Sequence, residues 1–320
     1  MSNTAWLITA TLLVVIGIVV FSVAVISTGG DFTKLGTGKF ETNNYEIIED
    51  FGNITIETNT ADVTLVPSSD GKCRVVCYEL EKVRHSVAVS GDALLIEAID
   101  TRRWYDYIDF NFEAPKITVY IPEGDYASLS IKSNTGDVEI PKNFKFNSID
   151  VFESTGDVKL LASASGSVKI KASTGDISLE NMSAGSLDLS VSTGRVTASD
   201  VRCEGDVRID VSTGRVNLTD VTCKSLVSDG DTGDIYLKNV IATDRLEIER
   251  DTGDVRLDGS DAGEIFIETD TGDVTGTLLS SKVFIVETDT GRKDVPKTTT
   301  GGRCEISTDT GDIRITLTEQ

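Results

Sequence analysis

Histidine is almost absent from this chain: His85 is the only one in 320 residues. One imidazole is too few for a histidine-based metal site or a histidine-dependent catalytic network. Basic side chains are also scarce, 30 Lys and Arg against 52 Asp and Glu, which gives a net charge of −22 and a pI near 4.4. Phosphate binding needs clustered Lys and Arg, so a nucleic-acid partner is excluded. Five cysteines make no disulfide framework, and the odd count leaves at least one thiol unpaired. No phosphate-binding loop and no nucleophile motif is found. What remains is 39% hydrophobic, enough to bury a core, and the length allows one to three domains.

Ala5 to Ile26 carries no charge. As a helix that run is roughly 33 Å long, enough to cross a hydrocarbon core of about 30 Å. Trp6 stands where an interfacial anchor is favoured. A cleaved signal peptide would need a basic leader, and MSNT supplies no basic side chain. The reading is an uncleaved single-pass anchor. Lys34 and Lys39 come after it, with Asp31 and Glu41, so the positive-inside rule leans slightly toward a cytoplasmic C-terminus, with too few charges to decide the orientation.

The dipeptide Thr-Gly recurs at Gly136, Gly156, Gly175, Gly194, Gly214, Gly233, Gly253, Gly272, Gly291 and Gly311, every 19 or 20 residues. A fixed period near this length marks a solenoid. Positions two and four after the Gly are apolar in most repeats, as in Val158/Leu160 and Val216/Leu218. So are positions seven and five before it, as in Val168/Ile170 and Val207/Ile209. Period-two alternation rich in Val and Ile is strand patterning. Each repeat thus reads as two strands joined at a Thr-Gly turn. A third inward column seven after the Gly (Met182, Val201, Val221, Val240, Leu279) suggests a short third side. The fold expected is all-β, a parallel β-solenoid of about ten coils stacked at about 4.8 Å.

The chain divides into four regions: an anchor at 1–28, a Gly- and Thr-rich linker at 29–44, an N-terminal β cap at 45–132, and the repeats at 133–320. Asn53 to Val66 looks like a degenerate first coil inside the cap. The last strand, around Ile313 and Ile315, is expected to leave an open edge that a partner or a second copy could cover.

The stacked S-T-G-D-[VI] units, such as Ser154 to Val158 and Ser173 to Ile177, and the Asp-Thr-Gly-Asp version at Asp251 to Val255 resemble the bacterial putative-adhesin family of β-strand-repeat proteins. NITIETNTADVTLVPS (53–68) and PKITVYIPEG (115–124) are similar to it too. The resemblance covers nearly the whole chain. It implies a membrane-anchored solenoid outside the cell membrane, no cofactor and no assigned catalysis, and it carries over no functional residues.

Asp occupies the position before Thr-Gly in late repeats (Asp231, Asp251, Asp270) and the position after it in most (Asp234, Asp254, Asp273). Stacked carboxylates repel unless solvated or countered. Calcium is one counter-ion they could hold; the blander reading, favoured here, has each Asp accept N–H bonds of its own turn. Arg195, Arg215 and Arg292 replace the second Asp and read as charge relief within the column, or as a basic spot for an anionic glycan.

Cys203, Cys223 and Cys304 fall in small or apolar columns and read as buried thiols, with a Cys203–Cys223 disulfide geometrically possible. Cys73 and Cys77 share a strand face about 13 Å apart and form no zinc site with the spacings available. His85 reads as a surface or cap residue. Arg102, Arg103, Trp104, Tyr105 and Tyr107 form a basic-aromatic stretch, either a partner surface or part of the cap's core.

A repeat array offers many equivalent carboxylates and no singular acid–base pair, so a polysaccharide-acting enzyme is the weaker reading. The expectation is a non-catalytic, adhesin-like envelope module whose partner is a cell-wall polymer or a protein. The alternative is a self-associating membrane scaffold.

Overall fold

The computed structural model describes residues 3–27, 29, 38–104 and 113–318. One α-helix, Asn3–Ser27, precedes an otherwise all-β chain. It is apolar on every side, which suits a lipid-facing helix rather than a surface one. Its span Trp6–Ser27 has a mean hydropathy of 2.8, and none of it is buried against the solenoid.

The coil around Gly214 shows how a repeat closes. Val207, Ile209 and Val211 point inward along the first side. The chain turns at Thr213-Gly214, and Val216 and Leu218 line the second side. It turns again at Asp220, whose φ of 54° is left-handed, and Val221 and Cys223 line the short third side. Neighbouring coils repeat each position in register: Leu187 lies on Val207, Gly194 on Gly214, Val216 on Ile235. One continuous apolar column therefore runs along the axis. A single coil could not bury these faces; its two neighbours do.

Both corners are dictated by residue type. A Cβ on Gly214 would lie 1.6 Å from the carbonyl oxygen of Gly194, and its φ of 149° is open only to glycine. The second corner falls six residues later and is left-handed at Asn181, Asp200, Asp220, Asn239 and Gly259. Asn, Asp and Gly are the residues that tolerate this conformation.

Chain order and stacking order differ at both ends. The first coil (Asn53–Thr58 with Asp62–Pro67) sits between the coil 93–121 and the coil begun by Gly124–Thr135. The coil 93–121, made of Ala93–Asp100 and Lys116–Ile121, is thus the outermost, although it comes second in sequence. Antiparallel strands cover it: Val83–Ser90 pairs with one side, Cys73–Leu80 with the other, and Phe40–Ile47 adds to the latter. The region read as cap therefore contains two stacked coils as well as the covering strands.

At the other end, Gly302–Thr310 and Ile313–Leu317 insert between the coil of residues 265–271 and Val274–Leu278 and the coil formed by Lys282–Thr290 and Lys293–Asp294. This corrects the expected edge in part. Ile313 and Arg314 are paired on both sides, residues 315–317 keep a neighbour on one side only, and the longer bare edge at this end among the described residues belongs to Lys282–Thr290. Leu279 is a related correction: it is 42% exposed, and Leu278 fills the core instead. The register shifts between Asp258 and Ser260, which brings Leu278 onto Ser260.

Candidate functional site

The aspartates just after each Thr-Gly build a ladder. Oδ1 of Asp137 accepts the backbone N–H of Asp157, Asp157 accepts that of Asp176, and Asp176 accepts that of Arg195. A second run passes from Asp234 to Asp254, to Asp273, to Asp312, and ends on the N–H of Arg292. Each carboxylate thus binds the next coil rather than its own turn, which corrects the expected bond. The turn carbonyl and N–H point along the axis, so the nearest donor lies one coil away.

The arginines stand where the runs end. Arg195 contacts Asp176 at 3.8 Å, Arg215 contacts Asp234 at 3.5 Å, and Arg292 Nε donates to Asp312 at 3.0 Å. These contacts fit charge relief within the column. The Arg292 guanidinium holds the Asp312 carboxyl below the usual carboxylate range, through its side-chain bond first. Of the calcium candidates, Asp234, Asp254 and Asp273 have one oxygen committed to the ladder. Asp231, Asp251 and Asp270 stand exposed beside them.

Three residues before each Gly lies a buried column of mixed character, and two of its members escaped the reading of the sequence. Glu153 is buried, accepts the Thr155 N–H, and has no partner for Oε2. Burial pushes its carboxyl up, against hydrogen bonds from Ser133, Thr155 and Ser154 that lower it. Arg250 is buried too, donating to the Val211 carbonyl at 2.7 Å and to Ser228 at 3.3 Å. Gly230 makes room for it: a Cβ there would sit 1.8 Å from Nη1. The signal was Ser228 in an otherwise apolar column, with Gly230 two residues on.

All five cysteines are free and buried. Burial pushes Cys77, Cys223 and Cys304 up to about 12 and Cys73 to about 11, so none is a thiolate nucleophile near neutral pH. His85 is not a surface residue. It lies inside the cap, its Nδ1 2.6 Å from Glu79 and its Nε2 3.0 Å from Thr58. Glu79, fully buried, also accepts the His85 N–H and the Asn43 amide. Cys77 joins them: donor atoms of Cys77, Glu79 and His85 lie within 4.8 Å of one another. Three such donors could hold a zinc-like ion, but the short His85–Glu79 contact is a closed hydrogen bond. The cluster seals the polar end of the cap's core.

Arg102 pairs with Asp100, and Trp104 is 80% exposed. Tyr105 and Tyr107 lie outside the described residues. Two open grooves of about 610 and 620 Å³ flank the cap, one by Ile48, Asp70 and Tyr120, the other by Tyr126, Lys145 and Glu204. The first is lined by the carboxylates Glu46, Glu49, Asp50 and Asp70 and the second by Asp125 and Glu204, with no imidazole in either lining.

A comparison with curated protein sequences finds no match. Among solved structures, a putative adhesin from Bacteroides fragilis is 17% identical with a TM-score of 0.43, the alignment covering 87% of this chain and 97% of that one. A putative adhesin from Parabacteroides merdae is 14% identical with a TM-score of 0.49, covering 77% and 98%. A structure described as a putative lipid binding protein, from Parabacteroides distasonis, is 13% identical with a TM-score of 0.41, covering 89% and 98%. The repeat itself is matched by a family model over residues 51–210 and 202–320, the span of the stacked Thr-Gly coils and their cap. The chain therefore belongs to the Toastrack DUF4097 family.

Proposed function

We propose that the chain is a membrane-anchored, adhesin-like interaction module that holds a non-catalytic β-solenoid outside the membrane. The observation that carries this reading is the division of labour along the chain. An apolar helix that buries nothing in the solenoid precedes a rod that is complete without it. The non-catalytic half is supported by the chemistry of the surface: ladder carboxylates are engaged by backbone N–H groups, and the thiols are buried and protonated. The solved structures described as adhesins share the fold class but lie too far away to carry a ligand across.

Protease treatment of intact cells, with lysed cells as control, tests the placement. Cleavage of the solenoid without lysis is the expected result. Protection until lysis moves the solenoid to the cytoplasm and removes the adhesin reading. A released, soluble solenoid lacking residues 1–28 turns the helix into a signal sequence.

A second reading, a self-associating scaffold, is favoured by one specific observation. The strand Lys282–Thr290 has a hydrogen-bonded neighbour on one side only. Mass measured against concentration tests it: growth supports the scaffold, and a persistent monomer removes it.

A further inference from the structure

We infer that the C-terminal tip of the solenoid is a homotypic docking surface, on which the strand Lys282–Thr290 pairs antiparallel with the same strand of a second copy, centred on Ile285. The inference rests on the self-association reading and adds its place, its register and its symmetry.

The first support is the state of the edge. The backbone N–H and C=O groups of Lys282–Thr290 point along the axis, and among the described residues they pair with another strand only on the side of Gly302–Thr310. The side chains show the same incompleteness. Phe284 and Val286 occupy the inward columns that are sealed in every inner coil, yet here they are only partly buried. Val283 and Ile285, on the outer face, are 39% and 48% exposed. A strand with an unfinished core on one face and apolar residues on the other is a template for further pairing.

The second support is that this edge is held in place. Lys282 pairs in register with Gly302, which has no side chain at that level. The lysine reaches past it to Asp261, two coils below, at 2.6 Å, and also donates to Ser280. Both members of the pair are buried. Thr298 on the return loop donates to the Lys282 carbonyl. A clamped edge loses less conformational entropy on docking than a frayed one.

The third support is charge, and it selects the occupant. The chain carries −22, and its lateral faces present stacked aspartates. Two such rods repel each other side by side. Residues 282–301 hold four basic side chains (Lys282, Arg292, Lys293, Lys297) against three acidic ones (Glu287, Asp289, Asp294), and with Asp261 and Asp312, the partners of Lys282 and Arg292, the balance stays near even. The tip is thus a face where two copies can meet without the repulsion that keeps their flanks apart. At the opposite end antiparallel strands cover the core, and the strand left there with one neighbour, Phe40–Ile47, carries Glu41 and Glu46 and no basic side chain.

Symmetry then fixes the register. A two-fold axis through Ile285, perpendicular to the sheet, places Ile285 opposite its own copy. It places Phe284 opposite Val286 of the partner subunit, so the two cores become continuous. Val283 falls opposite Glu287 of the partner subunit. Such an isologous contact closes on itself and yields a dimer rather than a fibre.

The test uses the full chain in mild detergent, with mass measured against concentration and three variants. Ile285→Cys is expected to form an intermolecular disulfide under mild oxidation, because directly opposed strand residues have Cα atoms about 4.5–5.5 Å apart. The native cysteines are all buried, which keeps the background low. I285K sets two lysines face to face and is expected to weaken pairing at least about 10-fold. V283K sets a lysine against the partner's Glu287 and is expected to leave pairing unchanged or tighten it. Both changes lie on the exposed outer face and spare the core. Self-association that survives I285K, with no crosslink through position 285, overturns the tip and leaves the scaffold reading standing. A monomer at every concentration overturns both. Equal losses in I285K and V283K overturn the register.

Discussion

At the N-terminal end, the outermost coil, Ala93–Asp100 with Lys116–Ile121, lies beneath antiparallel strands whose buried Glu79 and His85, with the half-buried Asn43, seal the core. At the C-terminal end, the outermost coil, Lys282–Thr290 with Lys293–Asp294, has nothing above it among the described residues, and Phe284 and Val286 stay partly open. Both ends invert chain order, in opposite ways: at the C-terminal end the chain steps out past one level and returns to fill it, and at the N-terminal end it lays coil 53–67 first, adds the outermost coil, and then crosses back to Gly124–Thr135. The ends differ in whether a cover is then laid on top. Residues 68–92 supply strands for one, while the return at 295–301 is a short loop. The lesson is that inverting chain order moves the edge without removing it. Only strands of the other direction, carrying polar groups for the core's rim, close an end.

The largest expected effect comes from comparing one substitution at two places. Gly214→Ala puts a Cβ 1.6 Å from Gly194 O, with coils fixed above and below. A loss of more than about 4 kcal/mol is expected by urea unfolding, if the variant folds at all. Gly291→Ala makes a similar clash, 1.9 Å from Gly311 O, but in the outermost coil. That coil can lift, so the loss should be about 1–2 kcal/mol and confined to the tip in hydrogen exchange. Equal global losses would mean that the tip is clamped from outside, as a tight dimer would do.

A second contrast removes one partner of a buried pair at each end. Glu79→Ala strands the Nδ1 and backbone N–H of His85, and Lys282→Ala strands Asp261. Each should cost about 3–5 kcal/mol at its site. The first should lower the midpoint of global unfolding, because the cap packs on the continuous core. The second should release exchange protection in 282–301 while the midpoint stays nearly fixed. A global loss from Lys282→Ala would show that the terminal coil nucleates or supports the whole rod.

Much of the rod was legible in the sequence because alternation fixes which face is buried, and a slip of one residue would turn Val216 and Leu218 to water. The Thr-Gly period located one corner. The second was equally written, in Asn181, Asp200, Asp220, Asn239 and Gly259, but only a positive φ gives that column its meaning. The order of coils at the ends was not legible. Every coil carries the same columns, so any coil fits on any other, and periodicity says nothing about which neighbour is taken. The ladder of Asp157 and Asp176 was visible as a column, whereas its direction depends on where the backbone N–H groups point. The His85–Glu79 contact is a consequence of alternation on two hairpin strands, yet it needs the turn register to be known.

The smallest effects set a buried carboxyl in the body of the rod against an exposed one near the tip. Burial raises the Glu153 carboxyl, so its folded form holds a proton more tightly than its unfolded form. Its contribution is present below the unfolded pKa and is lost as pH rises through the folded one. Glu153→Gln removes that loss, so the variant should gain on the wild type as pH climbs from about 3 to about 7. Asp312 is the reverse case, lowered mainly by its bond from Arg292. Its contribution is present above the unfolded pKa and is lost as pH falls through the folded one. Asp312→Asn should therefore fall behind the wild type as pH climbs over the same range. Melting curves against pH give the two slopes, and opposite signs are the expected outcome. Parallel slopes would mean that water reaches Glu153 through the face lined by Lys132 and Lys171, leaving its unpartnered oxygen solvated rather than stranded.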